Sequence, residues 1–184
     1  MAKTPKNIEK DEDIGTAPQA PLVIHKQYLK DLSFENPNAP GILQRSQEAP
    51  EMEMNILLDV QKLDHAEHEH FYEVTLTLNA TAKREGQTMF LAEVIYCAAA
   101  SVQGLEPQQH HPLLFIEVPN LIFPFARQIM ANATQAGGFM PLQLTPVDFR
   151  NMYLQRFAQE KTKLDESNST ETKKPAKKSK KAAK

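Results

Sequence analysis

Cysteine and glycine are scarce in this chain, and tryptophan is absent. The 184 residues include one cysteine, Cys97, and six glycines. A single cysteine permits no intramolecular disulfide, so a disulfide-stapled secreted domain is excluded and a reducing compartment is expected. The sequence contains no nucleophile elbow, no glycine-rich phosphate loop and no dinucleotide fingerprint. It therefore predicts a protein that is not an enzyme and that needs no cofactor.

Long hydrophobic runs are also missing. The first residues, MAKTPKNIEKDEDIG, carry charges where a signal peptide has an apolar core. No later apolar run approaches the roughly 20 residues of a membrane span. We therefore expect a cytoplasmic protein with no direct membrane insertion. With 41% hydrophobic residues, the chain has enough apolar side chains for one sizeable core.

The net charge of −2 hides a strong asymmetry along the chain. Residues 1–160 carry a net charge of −8, whereas residues 161–184 carry +6. An acidic body repels phosphate backbones and attracts basic polypeptides. The sequence thus predicts a protein partner and no nucleic-acid partner.

Composition divides the chain into three parts. Residues 1–21 are polar and proline-containing, and we predict a disordered N-terminal segment there. Residues 22–160 hold nearly all of the apolar side chains and form the predicted folded domain. Residues 161–184 are rich in lysine, serine and threonine and are predicted to be a disordered tail.

Apolar and polar residues alternate in the first half of the folded domain, which is typical of amphipathic strands. In EMEMNILLDVQ the apolar set is Met52, Met54, Ile56, Leu58 and Val60. A second alternating run from Tyr72 to Leu78, a turn around Gly86 and a further β-rich run predict a hairpin. The stretch from Val23 to Phe34 also has strand character, so four antiparallel strands are expected.

The period of the apolar residues changes to about 3.6 after Pro119, which predicts a helix that ends at Gly137-Gly138. A second helix is predicted to open at Thr145-Pro146, with the threonine as N-cap and the proline at the first helical position. Strands followed by helices predict an α+β fold rather than alternating α/β units.

Histidines form the one cluster that looks chemical, in the run Asp64-His65-Ala66-Glu67-His68-Glu69-His70. Imidazole and carboxylate groups are metal ligands, and a metal-dependent hydrolase is one possible interpretation. No zinc-motif spacing recurs, however, and polar loops accumulate such residues without function. We therefore predict no metal site here, and we interpret His110-His111 in the same way, as residues of another loop.

Methionines on a strand or helix face have two interpretations. Flexible thioethers suit promiscuous apolar binding surfaces, and Met52, Met54 and Met152 lie at such positions. An apolar stripe is more often buried, so the pattern alone favours core packing. On the predicted fourth strand, Leu91 and Glu93 share one side, and Ala92, Val94 and Tyr96 share the other. Asp31 and Glu35 would join the acidic side if the strands pair.

Several stretches resemble the SecB family. They are YLKDLSFENPNAP at 28–40, FLAEV at 90–94, PNLIFPFAR at 119–127 and LQLTPVDF at 142–149. They occur in the family's order, and the resemblance covers about residues 22–158. It implies a four-stranded antiparallel sheet followed by two helices, assembled as a homotetramer that is a dimer of dimers.

The resemblance also implies a function. The family holds unfolded precursor proteins in apolar grooves without catalytic residues and delivers them to SecA for export. Carried over residue by residue, the SecA-facing positions are Asp31, Glu35, Leu91 and Glu93. An acidic face agrees with the basic or polypeptide partner expected from charge. A SecB-like chaperone dedicated to one partner, such as an antitoxin, is the alternative.

Two further sets of residues follow from the resemblance. The candidate client groove comprises Met52, Met54, Ile56, Leu142, Leu144, Phe149, Met152 and Phe157. The candidate oligomer interface comprises Ala92, Val94 and Tyr96, which match family positions that influence association of the dimers. The chain departs from the family in the alanine-rich run Tyr96-Cys97-Ala98-Ala99-Ala100-Ser101 and in its lysine-rich end.

Overall fold

A computed structural model describes residues 20–44 and 46–156 of the chain. The predicted N-terminal segment 1–21, apart from its last two residues, lies outside this range. The predicted lysine-rich tail 161–184 and Phe157 lie outside it as well. The described residues therefore cover most of the predicted folded domain.

Four antiparallel strands form one sheet: β1 (Leu22–Glu35), β2 (Glu51–Leu63), β3 (Phe71–Arg84) and β4 (Gln87–Val102). Their order across the sheet is β1-β4-β3-β2, so β1 and β2 are the edge strands. The prediction of four antiparallel strands is confirmed. A short 3-10 turn, Gly41–Leu43, follows β1, and the Arg84 guanidinium donates to the carbonyl oxygen of Ile42 at 2.7 Å.

The turn between β3 and β4 fixes the register of the hairpin. Glu85 and Gly86 both have positive φ, 51° and 74°, between the paired residues Arg84 and Gln87. Two consecutive positive φ angles are the signature of a two-residue turn whose twist matches that of the strands, and the second position favours glycine. The predicted turn around Gly86 is thus confirmed.

Alternation along the strands gives the sheet two different sides. On β3 the side chains of Val74, Leu76 and Leu78 are fully buried, while the residues between them are half-buried. The buried side is covered by helices and contains the core. We call it the helix-facing side. The opposite side, which no helix of the described residues covers, is called the open face.

The helical layer starts earlier than the sequence predicted. Helix α1 (Pro107–Pro112) leads through a π-helical turn (Leu113–Glu117) into α2 (Val118–Ala136). The prediction that His110-His111 lies in a loop was therefore wrong. Pro107 occupies the first turn, and the side chains of Glu106 and Gln109 form a capping box, so a short polar sequence without an apolar stripe still begins a helix.

Helix α2 ends at the predicted place. Gly138 has φ +88°, its N–H donates to the Gln135 carbonyl, and the Phe139 N–H donates to the Thr134 carbonyl. This pair of bonds is the Schellman arrangement, which favours glycine at the left-handed position. Gly137 has a different role: a Cβ there would lie 2.2 Å from the Phe34 ring, so the helix end packs directly on β1.

Residues 139–148, which form neither helix nor strand, lead from α2 to a last helix, α3, described at residues 149–156. The buried Thr134 hydroxyl accepts a hydrogen bond from the Leu142 N–H at 3.0 Å and holds this segment against α2. The predicted N-cap at Thr145 was wrong by three residues. The Asp148 carboxylate accepts from the Asn151 N–H at 2.9 Å, so aspartate is the cap.

The continuous helical stretch Pro107–Ala136 is long and apolar enough, by length and composition alone, to cross a membrane. Its apolar face packs on β3 and β4, where Val118, Ile122 and Ala126 are fully buried. A core helix of a soluble protein passes the same test. The stretch is thus weak grounds for a membrane span, and its packing accounts for its composition.

Candidate binding surfaces

The open face brings together the predicted acidic residues. Glu35 pairs with Leu91, and the neighbouring pair is Ser33 with Glu93, while Asp31 lies further along β1 opposite Ile95. All of these positions point to the open face, and Leu91 is 40% exposed there. Glu35, Leu91 and Glu93 line a shallow depression of about 220 Å³. The prediction that Asp31 and Glu35 would join Leu91 and Glu93 on one side is confirmed.

Strand β2 adds acidic residues that were not predicted for this surface. Glu51, Glu53 and Asp59 pair with Lys83, Thr81 and Thr75 of β3, so they too point to the open face. The Lys83 Nζ lies 3.9 Å from Oε1 of Glu53, which is near the outer limit of distance for an ion pair. The alternation of β2 put these acids opposite its methionines, but only the pairing of β2 with β3 shows that they share a side with Glu93.

A polar bridge spans the other half of the open face. Lys30 donates to Glu73 at 2.8 Å, and the Tyr28 hydroxyl donates to the second oxygen of the same carboxylate. These residues lie on β1 and β3, with β4 between them. The bridge is possible because β4 presents the small side chains of Cys97 and Ala99 here. The alanine-rich run 96–101 of β4 thus leaves room for the bridge to form.

The bridge shifts the pKa of its members. Hydrogen bonds from Lys30 and then Tyr28 hold the pKa of the Glu73 carboxyl below its ordinary value. The hydrogen bond to Glu73, with partial burial, raises the pKa of Tyr28 to about 12. Because the folded pKa of Glu73 lies below its unfolded value of about 4.3, the carboxylate stabilises the fold above that pH. This stabilisation is lost as pH falls through the folded pKa.

We expect Glu73→Gln to lower the free energy of unfolding near pH 7 but to match the wild type once the pH falls below the folded pKa of Glu73, because the carboxyl is then protonated in both states. Urea denaturation at a series of pH values measures the difference. Lys30→Met removes the larger cause of the shift and should shrink the pH-dependent difference. A constant difference between wild type and Glu73→Gln from pH 3 to 7 would contradict the assignment.

An apolar strip runs along the helix-facing side of the edge strand β2. We define it as Met52, Met54, Ile56 and Leu58, and its exposure decreases along the strand. Met52 and Met54 are 39% and 38% exposed, Ile56 is half-buried and Leu58 is buried. Helix α2 contacts β4 and β3, so the beginning of β2 lies beyond its cover. Leu142, Leu144 and Met152 are half-buried and pack on the same core.

Phe149 requires a correction, because it was predicted to line an open groove. Only 1% of its surface is exposed, and its ring packs edge-to-face on Phe123 of α2 with centroids 5.8 Å apart. It is therefore a core residue that anchors α3. The helix is also held by Arg156, which donates to the Leu58 carbonyl at 3.1 Å, and by Tyr153, whose hydroxyl is 3.0 Å from Nδ1 of His111.

The predicted interface residues lie beneath α2 within the subunit. Ala92, Val94 and Tyr96 are 4%, 0% and 8% exposed. Tyr96 stacks on Phe125 of α2 with centroids 6.3 Å apart, and Phe125 itself is 48% exposed. Any effect of these residues on assembly therefore has to pass through the helix above them.

A second apolar surface was missed by the sequence analysis. Leu29 and Leu32 of β1 and Leu121 and Phe125 of α2 are all between 42% and 54% exposed. Leu29 and Leu32 pair with Tyr96 and Val94, so they point to the helix-facing side. Leu121 and Phe125 have the four-residue spacing of one helix face, which the sequence shows. That Leu29 and Leu32 lie on the same side of the sheet follows only from the pairing of β1 with β4.

The histidines gather at the end of the sheet where β1 begins. His25, His65 and His68 lie with Phe71 in one group of rings. The centroid of the His68 ring is 4.7 Å from that of His25 and 4.9 Å from that of His65. Burial and the two neighbouring imidazoles lower the pKa of His25. Within residues 20–44 and 46–156, no three histidine, cysteine or acidic side chains are placed to hold a metal ion. The group packs as aromatic rings.

Comparison with known proteins relates this geometry to a family. The family model described as "Preprotein translocase subunit SecB" matches residues 15–160. The Protein-export protein SecB of Rhodospirillum rubrum is 46% identical over 140 residues, which are 76% of this chain and 84% of that protein. The protein of the same name from Sinorhizobium fredii is 48% identical over 158 residues, covering 85% and 92% of the two chains.

Among solved structures, the chain is similar to a SecB-like chaperone of Mycobacterium tuberculosis in complex with a ChAD peptide from the HigA1 antitoxin. The TM-score is 0.56 at 14% identity, over 68% of this chain and 90% of that one. At this identity the likeness concerns the fold alone. The family match and the two relatives extend over most of the chain, and on those grounds it is a member of the SecB family of protein-export proteins.

Proposed function

We propose that this chain is a cytoplasmic holding chaperone that binds unfolded precursor proteins, keeps them competent for translocation and delivers them to SecA. The observation that carries the proposal is the apolar strip of β2, where Met52 and Met54 stay more than one-third exposed on the helix-facing side of the sheet. Family membership supports the same function. No nucleotide or cofactor enters the proposed cycle.

The strip has the chemistry that an unfolded client requires. Unfolded chains share exposed apolar side chains and free backbone groups rather than one sequence, so their binding surface must be apolar and adaptable. Methionine has three rotatable bonds and a polarisable sulfur, which suits this task. Strand β2 is also an edge strand, and a client in extended conformation can lie beside it. Leu142, Leu144 and Met152 continue the proposed groove, with Phe149 as its buried support.

Delivery is proposed to occur through the open face. Asp31, Glu35, Leu91 and Glu93 combine carboxylates with one exposed leucine on a single side of the sheet. Carboxylates steer a basic segment of SecA to the face, and the leucine adds an apolar contact. The client strip and the docking surface lie on opposite sides of the sheet. Both partners can therefore be bound at once before transfer.

One interface of the proposed dimer of dimers is assigned to the second apolar surface. Leu29, Leu32, Leu121 and Phe125 are uncovered in a single subunit, and isolated subunits rarely leave such contiguous apolar patches in water. A second copy, packed about a two-fold axis, would cover them. Ala92, Val94 and Tyr96 would then influence association from below, by supporting Phe125.

Aggregation of an unfolded precursor, followed by light scattering without nucleotide, tests the holding function. We expect the wild type to suppress aggregation, and Met52→Asp/Met54→Asp to need several-fold more chaperone for the same effect. Leu57→Asp, on the open face of the same strand, is the matched control and should behave as the wild type. Size-exclusion chromatography with light scattering reports whether each variant remains a tetramer.

Two outcomes would count against the proposal. Equal suppression by Met52→Asp/Met54→Asp and the wild type would remove the strip from the client site. Capture of one dominant protein instead of many precursors would favour a chaperone dedicated to a single partner.

A further inference from the structure

We propose that the lysine-rich tail of this chain, residues 173–184, docks on the open face of the sheet and competes there with a basic partner. The competition rests on the proposed function, because it assumes that SecA uses the same face. The tail contact itself does not depend on SecA and can be measured in its absence.

The open face has a surplus of acidic side chains. Asp31 and Glu35 on β1, Glu93 on β4 and Glu51, Glu53 and Asp59 on β2 all point to it. Of the three lysines on the same side, Lys30 is bound to Glu73 and Lys83 is 3.9 Å from Glu53. Lys26 lies at the opposite end of β1, opposite Ala99. At the end of the face that holds Glu35, Glu53 and Glu93, the carboxylates therefore outnumber the lysines of the described residues, of which Lys83 is the one at that end.

The sequence supplies a complementary segment. Residues 173–184 read KKPAKKSKKAAK, with seven lysines and no acidic residue. This block is short of apolar side chains, so its attraction to a surface is electrostatic. The acidic open face of the same molecule is therefore a complementary surface for this positively charged block.

The chain is long enough for the contact. Arg156, the last described residue, is bonded to Leu58 on the edge strand β2, so the chain leaves the described structure at the β2 edge of the sheet, from which it can pass round to the open face. Sixteen residues lie between Arg156 and Lys173, and a chain of this length reaches at most roughly 55–60 Å from one to the other. Crossing from β2 to β1 requires about 15 Å at the usual strand spacing. The lysine block can thus reach every acid on the face.

The tail and the open face belong to the same chain, which strengthens their association although each lysine–carboxylate pair is weak. An exposed lysine–carboxylate pair contributes little by itself. A tethered segment, however, meets its site at an effective concentration on the order of millimolar. The contact should depend on salt, because the screening length falls from about 30 Å at 0.01 M to about 3 Å at 1 M. A tightly bound basic partner can then displace the tail.

Zero-length carbodiimide cross-linking of the full chain, followed by peptide mass spectrometry, tests the contact. The reagent joins a lysine amine directly to a carboxylate. At 10 mM salt and low protein concentration we expect tail lysines to link to Glu35, Glu53 and Glu93 at least fivefold more often than to Glu106 and Glu117. The last two are exposed acids of the helical side and serve as internal controls. The preference should disappear at 0.5 M salt.

Equal linking to the two groups of acids, or a preference that survives high salt, would overturn the proposal. A full-chain variant with all seven lysines of 173–184 replaced by glutamine tests the competition. We expect it to bind SecA several-fold more tightly at low salt and to hold clients as the wild type does. If the cross-links form but SecA affinity is unchanged, the tail contact stands and the competition at this face is refuted.

Discussion

Replacing Glu93 with lysine is expected to weaken SecA binding at least tenfold while client holding stays unchanged. Glu93 neighbours Leu91 on the open face, and Leu91 pairs with Glu35. Reversal of the Glu93 charge therefore places a cation where the proposed partner presents its own basic side chains. Like charges brought together at an interface are strongly unfavourable. Titration calorimetry at about 0.15 M salt measures the affinity, and the aggregation assay measures holding.

A matched control separates the site from the overall charge. Glu117→Lys changes the net charge by the same amount, but Glu117 is exposed on the helical side of the molecule. We expect it to leave SecA affinity within twofold of the wild type. Similar losses in both variants would mean that general charge attraction, rather than docking on the open face, governs the interaction.

Phe149→Ala is expected to detach α3 from the helical layer. Removing a buried phenylalanine typically costs about 3–5 kcal/mol, and Phe149, which packs on Phe123, is the one buried residue among the described residues 149–156. Because α3 lies at the end of the described fold, the loss should appear as local opening rather than global unfolding. Hydrogen exchange of residues 149–156 should accelerate by more than tenfold, with little change in β3.

Leu154→Ala is the control for this helix, since Leu154 is 58% exposed and lies on its outer side. It should leave the exchange of residues 149–156 close to that of the wild type. If Phe149→Ala instead destabilises the sheet and α3 to the same degree, α3 is part of one cooperative unit.

The strands could be predicted from the sequence because each carries its own alternating pattern. The run from Met52 to Val60 and the hairpin around Gly86 needed only local information, and the resulting strands match the structure. The end of α2 was equally local, since the left-handed Gly138 is a strong signal. The side-by-side position of Leu91 and Glu93 followed from the same two-residue period.

Contacts between distant segments could not be predicted in this way. The bridge from Tyr28 and Lys30 to Glu73 depends on β4 lying between β1 and β3, and on the bulges that shift the register of β1. The start of the helical layer was missed because α1 has no apolar stripe; its one buried histidine, His110, contacts Tyr72 and the Leu105 carbonyl. Burial of Phe149 likewise depends on where α3 packs.

The location of the chain's one thiol has a consequence for the redox chemistry of the precursor chains that we propose it holds. Cys97 has no exposed surface, and burial raises its pKa above the ordinary value. A buried, protonated thiol is a poor nucleophile for disulfide exchange. Precursors that carry reduced cysteines toward an oxidising compartment can therefore be bound and released without forming a mixed disulfide with their carrier.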